Sequence, residues 1–412
     1  LPILNKNLKK ELENNYVWKN YFNNLCDYLY IFIFKSLEIL KEGGAIIFIT
    51  PEFWFKNLHS NNLRNHILEK AYIKEVYYLG ENRYFDKVNS SFVIFKIVKK
   101  RIKPKIKIFK LKDNIKNIDK IFTNISKNFD QFYIDQFQKN KKWLLYRQNY
   151  LNKCALIEAS CKSTFNKKKI TNDRSYIKLK DICQIANGLV SGLDKAFRCD
   201  EELFKKLNSL EKSSIRKVVK SHNLSAYINE GFQKYIFLNE NKVKDLQKDY
   251  PNFYNHLSDF KEDLQKRYNY QKKINYWDWV FLRSFSLINS NQNKICIPCK
   301  LRVKSYEDIN FSYIKNKFLL TQDVTSIYLK KNCRESIFYI LGYLNSQIIK
   351  QWIYINNNNR GNVLEFSEAP LNNIPMKIIN WENKEEVKMH ERISDLTKKI
   401  LINYDNKLAA KI

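Results

Sequence analysis

Glycine and histidine are scarce in this sequence. The 412 residues contain eight glycines, none of them in a GxGxxG turn or a P-loop, so the chain shows no loop of its own for a phosphate or an adenosine. The five histidines form no HxxxH pair, which excludes that metal-binding pattern. No apolar run approaches the roughly 18 residues of a membrane span, and no signal peptide opens the chain.

Cysteine is present but poorly arranged for a metal. Of eight cysteines, only Cys296 and Cys299 form a CxxC pair, within an apolar run that is typical of a strand. A zinc site needs two further ligands at matching spacing, and none is near. We therefore expect buried thiols rather than a metal site, in a protein of the reducing cytoplasm.

Acidic residues are outnumbered by basic ones. Lys and Arg number 73 and Asp and Glu 42, which gives a net charge of +31. Residues 1–98 carry a net +3 (13 − 10), and residues 99–412 carry +28 (60 − 32). Such an excess favours a polyanionic partner, nucleic acid first and an anionic membrane surface second. A codon bias toward Lys would raise the charge everywhere, so the asymmetry places the polyanion contact in the later part.

The first hundred residues alternate between helical and strand patterns. Apolar spacing predicts helices over 28–41 and 58–70. Residues 45–50 are apolar on both faces and predict a buried parallel strand, and 73–79 and 91–98 predict two more strands. This is part of a doubly wound α/β pattern.

The later part is expected to hold a second domain. The basic run 99–107 suggests a surface strand or a linker that leaves the first domain. We predict a helix near 150–160 and a closing helix over 384–403. The resulting division is an α/β domain, a connector, a mixed α+β domain and a C-terminal helix, over 1–110, 111–174, 175–380 and 381–412.

Several segments of the first hundred residues resemble, in order, the later half of TaqI-like (gamma group) adenine-specific DNA methyltransferases. They are Asp27-Tyr-Leu-Tyr-Ile-Phe32, Leu37-Glu-Ile-Leu-Lys-Glu-Gly-Gly44, Ile47-Phe-Ile-Thr-Pro51, Leu63-Arg64, Val76-Tyr-Tyr-Leu-Gly80, Arg83-Tyr-Phe85 and Ser90-Ser-Phe-Val-Ile-Phe95. The resemblance implies a partial Rossmann-like methyltransferase domain.

Residues 175–380 resemble the target-recognition domain of the same family, which binds duplex DNA. The matching segments include Ile185-Ala-Asn-Gly-Leu-Val-Ser-Gly-Leu-Asp-Lys-Ala-Phe197, Val218-Val-Lys-Ser-His222, Leu264-Gln-Lys-Arg267, Tyr276-Trp-Asp-Trp279, Lys294-Ile-Cys-Ile-Pro-Cys-Lys300, Leu341-Gly-Tyr-Leu-Asn-Ser346 and Leu371-Asn-Asn-Ile-Pro375. At least one of the two tryptophans is expected in the core.

The family transfers a methyl group from S-adenosylmethionine to N6 of an adenine that is flipped out of the duplex. An Asn-Pro-Pro-Tyr loop accepts hydrogen bonds from the amino group, and the ring of an aromatic residue stacks on the base. This sequence lacks Asn-Pro-Pro-Tyr and the glycine-rich cofactor loop. The resemblance therefore implies a carboxy-terminal part that does not methylate DNA alone, with the cofactor site completed by residues outside these 412.

The resemblance gives candidate roles to individual residues. Phe85 matches the base-stacking aromatic, with Tyr84 as the substitute if the register slips by one. Phe32 matches a position near the cofactor adenine, and Asp27 an acid that serves either catalysis or as a helix N-cap. A core role stays open for both phenylalanines. The candidates for DNA contact are Lys87, Lys195, Lys220, His222, Arg267, Lys300, Arg302 and Arg360, mostly to phosphates.

Two other readings of the whole chain stay open. One is a DNA-specificity subunit that acts with a second chain carrying Asn-Pro-Pro-Tyr. The other is part of a combined restriction–methylation polypeptide with an upstream nuclease. General RNA binding is the least favoured, and would show as sequence-independent binding with a steep salt dependence.

Overall fold

The computed structural model describes residues 6–15, 28–80, 84–85, 90–100, 104–112, 115, 117–162, 176–241, 243–268, 270, 273–315, 318–357, 359–360 and 363–409. The chain divides into two compact units. Unit 1 contains residues 1–155 and 360–362, and unit 2 contains residues 156–359 and 363–412. Across the described ranges, no helix is both long and apolar enough to span a membrane.

Unit 1 is built around one five-stranded sheet with short and medium helices. The helices are α1 (Lys6–Asn14), α2 (Tyr28–Ile39), α3 (Phe53–Lys56), α4 (Asn61–Lys70), α5 (Ile118–Ile121), α6 (Ile125–Asn128) and α7 (Gln148–Lys162), the last of which runs into unit 2. The strands are β1 (Ala45–Pro51), β2 (Tyr72–Gly80), β3 (Phe92–Val98), β4 (Ile106–Leu111) and β5 (Phe129–Ile134).

The strand order in this sheet is β1-β3-β2-β4-β5. Strand β3 is antiparallel to both of its neighbours, β2 is parallel to β4, and β5 is antiparallel to β4. Strands β1, β2 and β4 therefore run in the same direction, and their carboxyl ends lie at the same edge of the sheet. The predicted helices α2 and α4 and the predicted strands β2 and β3 are confirmed, as is the helix near residues 150–160.

The prediction of a buried parallel strand over 45–50 is wrong. Strand β1 pairs antiparallel with β3 and lies at the end of the sheet order. Its alternate side chains are exposed, among them Ile47 (63%) and Ile49 (41%). An apolar run predicts burial, but burial also requires a neighbouring strand or helix that covers the second face.

The basic run 99–107 leads into the sheet rather than out of it. Strand β4 lies between β2 and β5, and its Ile106 and Ile108 are fully buried. Lysines alternate with these isoleucines, so the segment is basic on average although it contains a core strand. Its average composition therefore does not reveal the strand. The segment 111–174, expected to be a connector, contributes β5 to the same sheet.

Unit 2 combines several small sheets with helices. Its strands are β6 (Tyr176–Lys178), β7 (Cys183–Asn187), β8 (Arg198–Cys199), β9 (Ile215–Val219), β10 (Gln233–Ile236), β11 (Lys294–Pro298), β12 (Lys300–Arg302), β13 (Ser312–Ile314), β14 (Leu319–Leu320), β15 (Val324–Leu329), β16 (Asn359–Arg360), β17 (Val363–Glu365) and β18 (Pro375–Lys377). The second residue of β16, Arg360, is assigned to unit 1. The sheet orders are β14-β9-β10-β8, β13-β11-β15-β7, β12-β17-β16 and β18-β6.

The helices of unit 2 are mostly short, with one long helix at the carboxyl end. They are α8 (Leu179–Ile182), α9 (Asp194–Phe197), α10 (Glu201–Lys206), α11 (Ser209–Ser213), α12 (Leu246–Asp249), α13 (Pro251–Ser258), α14 (Lys261–Lys266), α15 (Phe285–Ile288), α16 (Ile337–Leu344), α17 (Gln347–Asn356), α18 (Glu368–Asn372) and α19 (Lys384–Ala409). Helix α19 confirms the predicted closing helix.

The core of unit 2 confirms two expectations about single side chains. Trp279 is 1% exposed and packs against the rings of Phe197, Tyr235 and Phe237. Cys296 is fully buried in β11, and burial raises the pKa of its thiol to about 12. This thiol is held in its neutral, unreactive form.

Candidate functional site

Phe85 lies in unit 1 between the end of β2 and the start of β3. Its ring is 42% exposed and meets the ring of Phe92 edge-on, with centroids 5.0 Å apart. Phe92 pairs with Pro51 and with Gly80, the last residues of β1 and β2. Phe85 therefore lies at the edge where the carboxyl ends of β1 and β2 meet, the edge at which open α/β sheets bind ligands.

Tyr84, the alternative to Phe85, is engaged inside unit 1. Its hydroxyl donates a hydrogen bond to the carbonyl of Ile115 at 3.1 Å. Its ring packs against a small apolar cluster that includes Leu79 and Phe92. Of the two neighbouring rings, the one that solvent reaches most directly is that of Phe85.

Phe32 projects from α2 with 65% of its surface exposed. The opposite face of the helix, with Leu29, Ile33 and Leu37, is buried in the core of unit 1. Ile39, seven residues after Phe32 and so on the same face, is 71% exposed. Asp27 and Lys87 lie outside the described residues.

Lys220 in unit 2 is engaged by two carboxylates. Its Nζ lies 2.9 Å from Oδ1 of Asp323 and also bonds Oδ2 of Asp194, and only 12% of its side chain is exposed. Burial lowers the pKa of Lys220, but the hydrogen bonds with Asp194 and Asp323 outweigh this effect and leave the pKa raised. Its ammonium is thus charged and internally paired.

Arg267 is engaged in a similar way, by backbone carbonyls. Its Nη1 donates to Ser191 at 2.8 Å, and its Nη2 donates to Tyr276 at 3.0 Å and to Asp278. Burial lowers the pKa of Arg267 to about 10, and the charge of Asp278 opposes that shift. The guanidinium connects the segment 188–194 with the segment 275–278.

The segment 188–194 is closely packed against neighbouring segments of unit 2. Its two glycines lie where a side chain would collide with these neighbours. A Cβ added at Gly188 would lie 2.1 Å from the carbonyl oxygen of Thr321. Gly192 has a φ of +85°, and its Cβ would lie 2.8 Å from Cδ of Arg267. Arg283 also donates a hydrogen bond to the carbonyl of Gly188, at 2.9 Å. Sequence reasoning missed Arg283, because a carbonyl acceptor leaves no trace in the sequence.

The other predicted DNA contacts differ in exposure. Lys195 has a side chain that is 62% exposed, with Asp263 at 3.4 Å. His222 has Nε2 at 3.2 Å from Nε2 of Gln233. Lys300 and Arg302 are exposed on β12. Arg360 belongs to β16, and its side chain lies outside the described residues.

The first comparison concerns sequence families. The model of the Eco57I restriction-modification methylase family matches residues 3–85. Type II methyltransferase M.HindII of Haemophilus influenzae is 37% identical over 403 residues, which cover 96% of this chain and 76% of M.HindII. Type II methyltransferase M.MjaIV of Methanocaldococcus jannaschii is 33% identical over 239 residues, covering 57% of this chain and 76% of the relative.

The second comparison concerns solved structures and gives a likeness in fold. The Type IIL restriction-modification enzyme MmeI, solved in complex with DNA, superposes over 98% of this chain with a TM-score of 0.58 at 11% identity. The chain spans about half of that structure, 48% of its length. At this identity the likeness shows the fold, a mixed α/β fold found in restriction-modification enzymes. The sequence relatives show that the chain belongs to the family of Type II DNA methyltransferases of restriction-modification systems.

Proposed function

We propose that the chain is the carboxy-terminal part of a TaqI-like DNA methyltransferase that methylates adenine at N6. In this proposal unit 1 is part of a Rossmann-like catalytic domain, and residues 175–380 of unit 2 bind the target duplex. The observation that carries the proposal is the exposed ring of Phe85 at the carboxyl ends of β1 and β2. The contact with Phe92 holds this ring in place, and its exposed part is available to stack on a base.

The role of Phe85 follows from the chemistry of adenine. The lone pair of N6 is delocalised into the ring, so the amino group is a weak nucleophile. A flipped base stacked on an aromatic ring is held in one orientation, which lowers the entropic cost of in-line attack. The donor, when bound, would supply the methyl group, whose bond to sulfur is replaced by a bond to N6 while an N6 proton is released to solvent; the contribution of Phe85 would be to orient the base.

The residues described in unit 1 do not by themselves form a complete site for S-adenosylmethionine, the methyl donor implied by the family. Phe32 offers an exposed ring to an adenine. The sequence has no glycine-rich loop through which backbone N–H groups would hold the rest of the cofactor. Phe32 is therefore proposed as one contact in a site that residues outside this chain complete.

The surface of unit 1 supports such a completion. Strand β1 ends the sheet and exposes Ile47 and Ile49 on one face, and α2 exposes Phe32 and Ile39. A β edge with exposed isoleucines is a template for further pairing. We propose that the portion carrying Asn-Pro-Pro-Tyr, in the same polypeptide or in a second chain, covers these surfaces.

In unit 2 we assign phosphate contacts to exposed cations. Lys195, Lys300 and Arg302 lie at the surface, where a phosphate would add to their contacts without dismantling a buried pair. Lys220 and Arg267 are instead proposed as residues that position the segment 188–194. The Lys220 pair with Asp323 has lost much of its hydration, and breaking it for a phosphate would leave a carboxylate without its partner.

The test is methyl transfer from tritiated S-adenosylmethionine to DNA, with N6-methyladenine identified in the hydrolysate. The enzyme is reconstituted with a polypeptide that carries Asn-Pro-Pro-Tyr. Phe85→Ala should lose roughly 1–3 kcal/mol of base stacking, a reduction of about 5- to 150-fold in kcat/KM. Phe85→Trp should retain most of the activity. Tyr133→Ala, which removes a ring 57% exposed on β5, is the matched control.

A second candidate function is favoured by the missing motif. Without Asn-Pro-Pro-Tyr the chain is suited to act as a DNA-specificity subunit for a separate catalytic chain. In that case Phe85→Ala leaves methylation by the partner unchanged, while loss of the exposed cations of unit 2 abolishes it. Methylation by the purified 412-residue chain without any addition would contradict both versions.

A further inference from the structure

Three aromatic rings in unit 2 contact one another in a row of increasing exposure that ends at the surface. The ring of Tyr270 stacks on that of Phe281, with centroids 4.8 Å apart and planes inclined by 26°. The ring of Tyr268 meets Tyr270 at 4.7 Å and is 68% exposed. We call Tyr268, Tyr270 and Phe281 the ladder. Its outermost ring presents most of its surface to solvent.

Tyr270, the middle residue of the ladder, has an unusual backbone conformation. Tyr270 has a φ of +54°, in the left-handed region that bulky side chains rarely adopt. Such a conformation persists only when its surroundings impose it, and it is enriched at functional sites. Simple packing of a tyrosine does not require it, because the ring remains 38% exposed.

The ladder is fixed to the segment 188–194. Phe281 exchanges two backbone hydrogen bonds with Val190, at 3.0 and 3.1 Å. Arg267, next to Tyr268 in the chain, donates to the carbonyl of Ser191 in the same segment. Tyr268 is thus an exposed side chain next to an anchored residue, and the hydrogen bonds of Arg267 and Phe281 set its position relative to the segment 188–194.

The surroundings of the ladder are basic. Residues 266–273 contain four lysines or arginines and no acidic residue. Lys266 and Lys273 are exposed, and the contact of Lys266 with Glu262 joins two side chains that are 75% and 87% exposed. Exposed ion pairs of this type contribute little to stability, so the lysine can readily contact another anion instead. The chain segment that carries Tyr268 and Tyr270 is therefore basic, which favours a polyanion.

We propose that Tyr268 stacks on a nucleobase of the DNA bound by unit 2. The inference rests on the proposed function, because it assumes that unit 2 binds the target duplex. A ring on a basic surface combines base stacking with phosphate attraction, as in proteins that bind unstacked bases. Tyr270 and Phe281 support the outer ring from behind, and the segment 188–194 sets its place on the duplex.

The test measures DNA binding by the 412-residue chain. A fluorescein-labelled duplex is selected from a random-sequence pool with the wild-type chain, and affinities are measured by anisotropy. Tyr268→Ala should weaken binding about 5- to 150-fold, the range of one lost base stack. Tyr268→Phe should remain within about twofold, because it keeps the ring. The dependence of affinity on salt should be the same for all three proteins, because a stack neutralises no phosphate.

The matched control is Tyr404→Ala, which removes another exposed tyrosine of unit 2, on α19. It should bind like the wild type. Photocrosslinking of an iodouracil-substituted duplex, followed by peptide mapping, should identify Tyr268 directly. Circular dichroism shows that each variant is folded.

Two results would overturn the inference and leave the proposed function intact. One is binding by Tyr268→Ala within about twofold of the wild type. The other is an equal loss in Tyr268→Ala and Tyr268→Phe, which would assign the effect to the hydroxyl. If the wild-type chain selects no duplex from the pool, the proposed function of unit 2 fails, and the inference fails with it.

Discussion

The carboxylate of Asp323 receives the Lys220 ammonium at 2.9 Å. It also accepts the backbone N–H of Ser221 at 2.8 Å and the hydroxyl of Thr321 at 2.6 Å. Burial raises the pKa of Asp323, but these hydrogen bonds outweigh it and lower the pKa from 3.8 to about 2. One carboxylate thus joins the end of β9 to the turn between β14 and β15.

Asp323→Asn should lower the free energy of unfolding at pH 7 by about 2 kcal/mol, the value of a pKa depressed by this amount. A depressed pKa stabilises the fold above the unfolded pKa of 3.8, and the contribution is lost as the pH falls toward 2. Urea unfolding should therefore show a difference between wild type and variant at pH 7 that disappears between about pH 4 and pH 2. Asp395→Asn, which breaks an exposed pair on α19, should change stability by less than about 0.5 kcal/mol.

Gly188→Ala should destabilise unit 2 by about 3 kcal/mol or more. The added Cβ would lie 2.1 Å from the carbonyl oxygen of Thr321, a backbone atom that cannot rotate away. Gly231→Ala is the control, because its Cβ would meet Asn223 at an ordinary 3.6 Å. Thermal unfolding of the two variants separates a packing requirement from the general effect of replacing glycine. Equal melting temperatures would show that the strands move apart at little cost.

These contacts show why the sequence predicts some of the site and not the rest. Phe85 is a candidate because its neighbours resemble a family motif, and α2 is predicted because apolar residues recur at helical spacing. The carboxylate partners of Lys220 are 26 and 103 residues away, and the acceptors of Arg267 are backbone carbonyls. Sequence spacing carries no information on either set of partners, so the sequence alone predicts both cations as DNA contacts and gives no sign of their internal hydrogen bonds.

Strand β1 illustrates the same limit for the fold. Its apolar residues correctly predict a strand but not its neighbours, because burial depends on which elements cover the outer face. Ile47 and Ile49 are exposed on this strand, so the apolar character of the run does not by itself bury both of its faces.

We expect the exposed edge of β1 to promote self-association of the 412-residue chain, and Ile47→Lys should reduce it without lowering the melting temperature. The side chain is 63% exposed on an edge strand, so lysine is accommodated there and blocks edge-to-edge pairing. Sedimentation velocity over a range of concentrations should show a larger monomer fraction for the variant. Tyr133→Lys on β5, the opposite edge of the sheet, is the control. If the two variants behave alike, β1 is not the associating edge.

Lys300→Ala and Lys220→Met should affect DNA binding by different routes. Lys300 is exposed on β12, and the loss of one phosphate contact should weaken binding to all sequences alike. It should also reduce the slope of log affinity against log salt by about 0.9, the value for one released counterion.

Lys220 is only 12% exposed and paired with Asp194 and Asp323, so Lys220→Met should lower the melting temperature and leave the salt slope unchanged. Affinity measured at several salt concentrations, with thermal unfolding of the same samples, distinguishes the two. A reduced slope in Lys220→Met would mean that this ammonium leaves its carboxylates and binds a phosphate in the complex.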